Sequence, residues 1–95
     1  MLQGMFEEIK AKLAEITITE TGADGGITVI MHGNGRVQDI LVTSELASDP
    51  ERLSDELVAT MNRAIQLTKE ASSKAAKEVL GPMADMLGDL PDGLI

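Results

Sequence analysis

The 95-residue chain has no cysteine, no tryptophan and no tyrosine, and Phe6 is its one aromatic residue. Without cysteine there is no disulfide framework, no thiolate metal site and no cysteine nucleophile. Single-stranded nucleic acid is commonly held by stacking bases on aromatic rings, and one phenylalanine makes no such platform. Histidine is scarce too: His32 has no second histidine and no cysteine with which to share a metal. No apolar run approaches the ~18 residues of a membrane span. The opening MLQGMFEEIK lacks the basic leader and apolar stretch of a signal peptide. The default expectation is a soluble cytoplasmic protein with no membrane partner.

The absences extend to catalytic patterns. Asp24 stands in TGADGG without the Asp-x-Asp-x-Asp-Gly spacing of a calcium loop. Ser44, Ser48, Ser72 and Ser73 have no histidine beside them and no nucleophile-elbow motif around them. Paired carboxylates such as Asp55 and Glu56 fit the solvated face of a helix better than an acid/base pair. HGNG at residues 32–35 resembles a phosphate-cradling loop at first sight. A dinucleotide fingerprint needs a third glycine followed by a helix, and Gln38 stands where that glycine would fall. No Gly-Lys-Ser/Thr ending marks a P-loop. No catalytic residue, metal ligand or cofactor is therefore assigned, and an enzyme is not expected.

What is present is a 43% apolar fraction built from Ala, Ile, Leu, Val and Met, enough for one small domain. The net charge is −8, which argues against a general nucleic-acid binder. The charge is unevenly spread. Between Leu57 and Leu80 stand Arg63, Lys69, Lys74 and Lys77 against Glu70 and Glu78 alone. Cations late in a helix also complement its dipole, so this stretch has a purely structural reading as well.

Apolar periodicity divides the chain. Leu2, Phe6, Ile9, Leu13 and Ile16 form a helical seam, predicting a first helix over roughly residues 2 to 14, with Lys10 and Lys12 off the seam. From Ile16 the period changes to two. A strand around Ile18, a turn at TGADGG, a second strand over Ile27 to Met31 and a third over Val37 to Thr43 follow. Asn34-Gly35 suits a type I′ hairpin turn between the last two. In the third strand, Ile40 and Val42 fall on one face and Val37 and Leu41 on the other. Apolar residues on both faces predict a sheet covered on both sides, or one face buried by a partner.

Ser48 and Glu51 have capping-box spacing and Pro50 suits a first helical turn, so a second helix is expected from there to Gly81-Pro82. About thirty residues at 1.5 Å each give a helix of roughly 45 Å. A compact chain of this size has a radius of gyration of only ~12 Å, so such a helix must project beyond the sheet. Its seam of Leu57, Met61, Ala64, Thr68, Ala71 and Ala75 shrinks from large to small side chains. Pairing two chains would bury both the surplus sheet face and this seam, which predicts a homodimer. Its dimer and core residues are expected to include Phe6, Ile9, Leu13, Ile40, Val42, Leu57 and Met61. The domain is placed at residues 1–81. Residues 82–95, with Asp85, Asp89 and Asp92 among Met and Leu, form an acidic tail.

The residues GITVIMHGNGRVQDILVTSEL followed by DPERLSDELVATMNRAIQLTKEAS resemble the YbaB/EbfC family of bacterial nucleoid-associated proteins. Gly26, Val29, Gly33, Ile40, Val42 and Leu46 match its strand-hairpin-strand pattern, and Leu53, Leu57, Asn62 and Ala64 match its helix. The resemblance covers roughly residues 15 to 80. It implies an α-β-β-β-α fold in the α+β class: a short N-terminal helix, a three-stranded antiparallel meander and a long C-terminal helix. It further implies a tweezer-like homodimer that binds duplex DNA with low sequence specificity, near chromosome organisation, recombination or repair. The candidate phosphate contacts are Lys10, Lys12, Arg63, Lys69, Lys74 and Lys77. The chain departs from the family in its short first helix and its acidity. The competing reading is an acidic homodimeric module that docks an unidentified protein partner, and the two differ in salt dependence.

Overall fold

The computed structural model describes residues 2–81; the acidic tail lies outside them. The element order is α1 (Leu2–Glu15), β1 (Thr17–Gly22), a 3₁₀ turn (Ala23–Gly25), β2 (Ile27–His32), β3 (Val37–Val42), α2 (Ser44–Ala47) and α3 (Pro50–Leu80). The strands form one antiparallel sheet in the order β1-β2-β3. The α-β-β-β-α plan read from the sequence is present, with the four-residue α2 added to it.

Alternation on β2 buries Ile27, Val29 and Met31, all within 2% of full burial, on the face that α3 covers. Against Val29 and Met31 pack Ala64 and, partly buried, Leu57 and Met61 of α3. α3 has 31 residues, and the molecule measures 52 × 21 × 18 Å with a radius of gyration of 16.0 Å. That exceeds the ~12 Å of a compact chain this long, because the helix outruns the sheet. Its projecting half does not stand alone. Ile9 and Leu13 of α1 are buried with Ala75, Ala76 and Leu80, and Met5, Phe6, Ile16, Ala71 and Val79 pack around them. The small seam residues of α3 let α1 approach closely.

Close approach also fixes the other flank. A Cβ added to Gly22 would overlap the Thr60 hydroxyl and crowd Arg63, so glycine at the end of β1 lets α3 settle on the sheet.

Several local expectations are corrected. The hairpin after β2 is not type I′, because only Gly35 in it has positive φ, at 87°. The Gly35 amide donates to the His32 carbonyl (3.0 Å), and the His32 amide donates to Arg36 (2.8 Å). These bonds close a three-residue loop with its left-handed residue last, a common alternative that adds a bulge. A second irregularity, within β3, has a consequence for the faces. Met31 pairs with Val37 while Ile30 pairs with Asp39, leaving Gln38 as the extra residue. Val37 therefore shares the α3-facing side with Ile40 and Val42 rather than the opposite side with Leu41.

The start of α3 is corrected as well. Its N-cap is Asp49, whose carboxylate accepts from the Arg52 amide at 3.3 Å. Ser48 instead donates its hydroxyl to the Glu45 carbonyl at 2.7 Å, at the end of α2. β3 ends at Val42 because the Thr43 hydroxyl caps α2, accepting from the Leu46 amide at 3.3 Å, and Leu46 is buried. Pro50 occupies the first turn of α3 as expected.

Candidate nucleic-acid interface

Six cations were expected to meet phosphate, and the fold separates them. Arg63 faces back onto the sheet: its Nε donates to the Glu20 carboxylate at 3.1 Å, and its Nη2 donates to the Thr60 hydroxyl at 3.2 Å and the Thr21 carbonyl at 3.5 Å. It fastens α3 to β1. Lys12 turns toward α3, with its Nζ 3.8 Å from a Glu78 carboxylate oxygen. Lys10 is exposed on α1, whose solvent side also carries exposed Glu7, Glu8 and Glu15.

The remaining three form a different surface. Lys69, Lys74 and Lys77 are all exposed on the projecting half of α3. At about 100° per residue Lys77 points away from α1, Lys74 borders the groove between α1 and α3, and Lys69 falls on the other flank in line with Ala76 and Leu80, with Gln66, Ser73 and Glu70 between them. The lysines thus spread round the projecting half of α3 with Glu70 among them, while the solvent side of α1 carries three acids against Lys10.

A second exposed surface is apolar. α3 covers β1 and β2 but stops short of β3, so Val37 (43%), Ile40 (40%) and Val42 (38%) keep much of their surface open on the helix side of the sheet. Around α3, Thr60 and Arg63 sit over β1 and Ala64 over β2. One step further round come Val58 (58%) and Ile65 (39%), toward β3. The expected Ile40 and Val42 are thus joined by Val37, Val58 and Ile65, which the sequence reading did not single out. Their signal was the seven-residue spacing of Val58 and Ile65 beside the seam, which makes the apolar stripe wider than one sheet face requires. Of the other expected core residues, Ile9 and Leu13 are buried, and Phe6, Leu57 and Met61 are half-buried.

Chemistry finds little purchase elsewhere. His32 Nδ1 is buried without a hydrogen-bond partner. The hollow beside it is lined by Ala14, His32, Asn34, Arg36, Val37 and Gln38, which include neither a serine nor a carboxylate to pair with the imidazole. Among the described residues no three His, Asp or Glu side chains gather as a metal site, and no helix is long and apolar enough to cross a membrane.

These features define a small α+β protein whose candidate surfaces are the lysine-bearing half of α3 and an open sheet flank. Sequence comparison gives the family. The chain belongs to the YbaB/EbfC DNA-binding family, whose model matches residues 1–83. It is 33% identical over 95 residues to a nucleoid-associated protein of Gluconobacter oxydans, covering 98% of this chain and 84% of that one. A nucleoid-associated protein of Caulobacter sp. (strain K31) is 30% identical over 92 residues, covering 95% and 84%. An uncharacterized Helicobacter pylori protein of known structure shares the fold, with a TM-score of 0.72 at 20% identity over 79% of this chain and 89% of that one.

Proposed function

We propose that the chain is a homodimeric nucleoid protein that binds duplex DNA through phosphate contacts, with weak sequence preference, in support of chromosome organisation, recombination or repair. The observation that carries this reading is the set of exposed Lys69, Lys74 and Lys77 on the projecting half of α3. Lysine is a flexible point charge suited to phosphate, whereas base edges are read mainly by Arg, Asn and Gln. Membership of a DNA-binding family supports the same ligand. Lys10 and Lys12 are secondary contacts, and Arg63, held by Glu20, serves chiefly to fasten the helix. The chain's place is accordingly the cytoplasmic nucleoid, and no cofactor enters.

The homodimer rests on the open flank. Val37, Ile40 and Val42 on β3 and Val58 and Ile65 on α3 form a contiguous apolar surface of the kind that marks an interface. A second copy offers the same surface, as a two-fold contact requires. Two copies bring six lysines to the two projecting helices.

The test is fluorescence anisotropy with a random-sequence duplex. About six phosphate contacts predict an affinity loss of roughly 10³-fold between about 50 and 200 mM salt. Replacing Lys69, Lys74 and Lys77 together with alanine should abolish most of the binding and flatten the salt slope. Binding that is insensitive to salt, or absent at low salt, would favour the reading as a docking module for another protein, for which the acidic α1 face and the apolar flank are the available surfaces.

A further inference from the structure

An open groove of about 460 Å³ runs between α1 and α3, lined by Ile16, Ala71 and Ala75 with Lys12, Glu15, Lys74 and Glu78. Its charges are ordered. Lys12 precedes Glu15 by one turn on α1, and Lys74 precedes Glu78 by one turn on α3. α1 runs into the sheet and α3 runs out of it, so the two helices are antiparallel. Lys12 therefore meets Glu78 nearer the tip, and Glu15 and Lys74 lie nearer the sheet. The groove is neutral even though it holds two of the candidate phosphate-binding lysines.

Glu78 is placed unfavourably for its own helix. It stands in the last turn of α3, where the dipole disfavours a carboxylate and favours a cation such as Lys77. Among the described residues it faces Lys12 across the groove, at 3.8 Å, with both side chains about half exposed. Lys12 is thereby turned toward α3 while its side chain stays about half exposed. A phosphate approaching the tip must compete with a carboxylate already in place.

We propose that Glu78 is an intramolecular stand-in for phosphate: it holds Lys12 in the groove and sets the DNA affinity of the tip below what its lysines could deliver. This rests on the DNA-binding reading above. When DNA binds, Lys12 exchanges one anionic partner for another, so it contributes little net affinity and little counterion release while Glu78 is present. Neutralising Glu78 frees Lys12 to make a full contact.

Glutamine keeps the length and helix propensity of glutamate, so Glu78→Gln tests this without endangering the helix. Duplex binding would be measured by anisotropy between about 50 and 200 mM salt for the full chain, E78Q, K12A, the K12A/E78Q double variant and D55N. Asp55 is exposed on the same helix but roughly 35 Å away at 1.5 Å per residue, well beyond a ~10 Å screening length, so D55N makes the same change in net charge remotely. E78Q should bind roughly two- to fivefold tighter per chain at low salt, the range of one exposed ion pair. Its log–log salt slope should steepen by about 0.9 for each added phosphate contact. D55N should match the parent, and E78Q should give no gain in the K12A background. An equal gain from D55N would mean net charge alone is at work, and a gain that survives K12A would mean Lys12 is not the cation held; either overturns the inference. If the parent binds and E78Q binds no better, the inference falls and the DNA-binding reading stands. If no variant binds at low salt, both fall.

Discussion

The two halves of α3 solve different problems with one continuous helix. The half over the sheet packs Leu57, Met61 and Ala64 against Val29 and Met31, and its apolar stripe spills past the sheet to the exposed Val58 and Ile65. The projecting half packs Ala75, Ala76 and Leu80 against Ile9 and Leu13 and carries exposed lysines around the rest of its surface. The first half has more apolar surface than its own chain covers, and the second has little to spare. On the proposed reading, assembly belongs to the sheet end and ligand contact to the tip, with the long helix between them.

The largest effect expected from that division is on assembly. Ile65→Asp places a charge in the centre of the open flank. If this flank is the two-fold contact, the charge is buried once per copy, and at ~2 kcal/mol or more for each the dimer weakens by roughly 10³-fold. Sedimentation equilibrium should then give a monomer mass with an unchanged helical circular dichroism signal. A variant that remains dimeric would move the interface elsewhere, with the tip helices themselves the next place to look.

Next comes the stability of the sheet half. Met31 is 2% exposed between the sheet and α3, and Met31→Ala removes a large buried side chain. Core truncations of this kind cost about 2–5 kcal/mol. Urea unfolding, followed at several protein concentrations so that assembly is accounted for, should show a loss in this range. A loss below about 1 kcal/mol would mean that the sheet half is not the main store of stability, and the contrast with the tip would fail.

Much of this contrast was legible in the sequence because it lies in periodicity. The seam spacing of α1 and the absence of any Gly or Pro between Pro50 and Gly81 mark the two helices, and the shrinking seam marks where α3 leaves the sheet. What escaped was either too short to be periodic or dependent on distant residues. α2 has four residues and one buried side chain, Leu46, so it presents no face to read. The cap fell to Asp49 rather than the expected Ser48 because α2 draws the Ser48 hydroxyl to Glu45. The side on which Val37 falls depends on a bulge at Gln38, which reverses the parity of the strand. Among the cations, sequence could give type and helix but not company. Glu20 stands 43 residues from Arg63, and Glu78 lies on a different helix from Lys12. Only the fold turns Arg63 back onto the sheet and sets Lys12 opposite Glu78.

The smallest expected effect is the most discriminating. Ala75 is buried where α1 crosses α3, and glycine there costs about 1 kcal/mol of helix propensity without leaving a cavity larger than a methyl group. If the two halves of α3 open as separate units, that cost falls on the tip alone, since proteins open locally in contiguous segments with unequal free energies. Amide hydrogen exchange in Ala75→Gly should then quicken by roughly fivefold over residues 68–80 and in α1, the factor corresponding to about 1 kcal/mol. Amides of Ile27 and Val29, under the sheet half, should exchange at the parent rate. Equal acceleration at both places would show the helix to be one cooperative rod, so that tension at the tip is felt at the sheet. In that case ligand contact and assembly would be linked through α3 rather than kept apart by it. The tip variants described above would then have to be read with their effect on the dimer measured alongside.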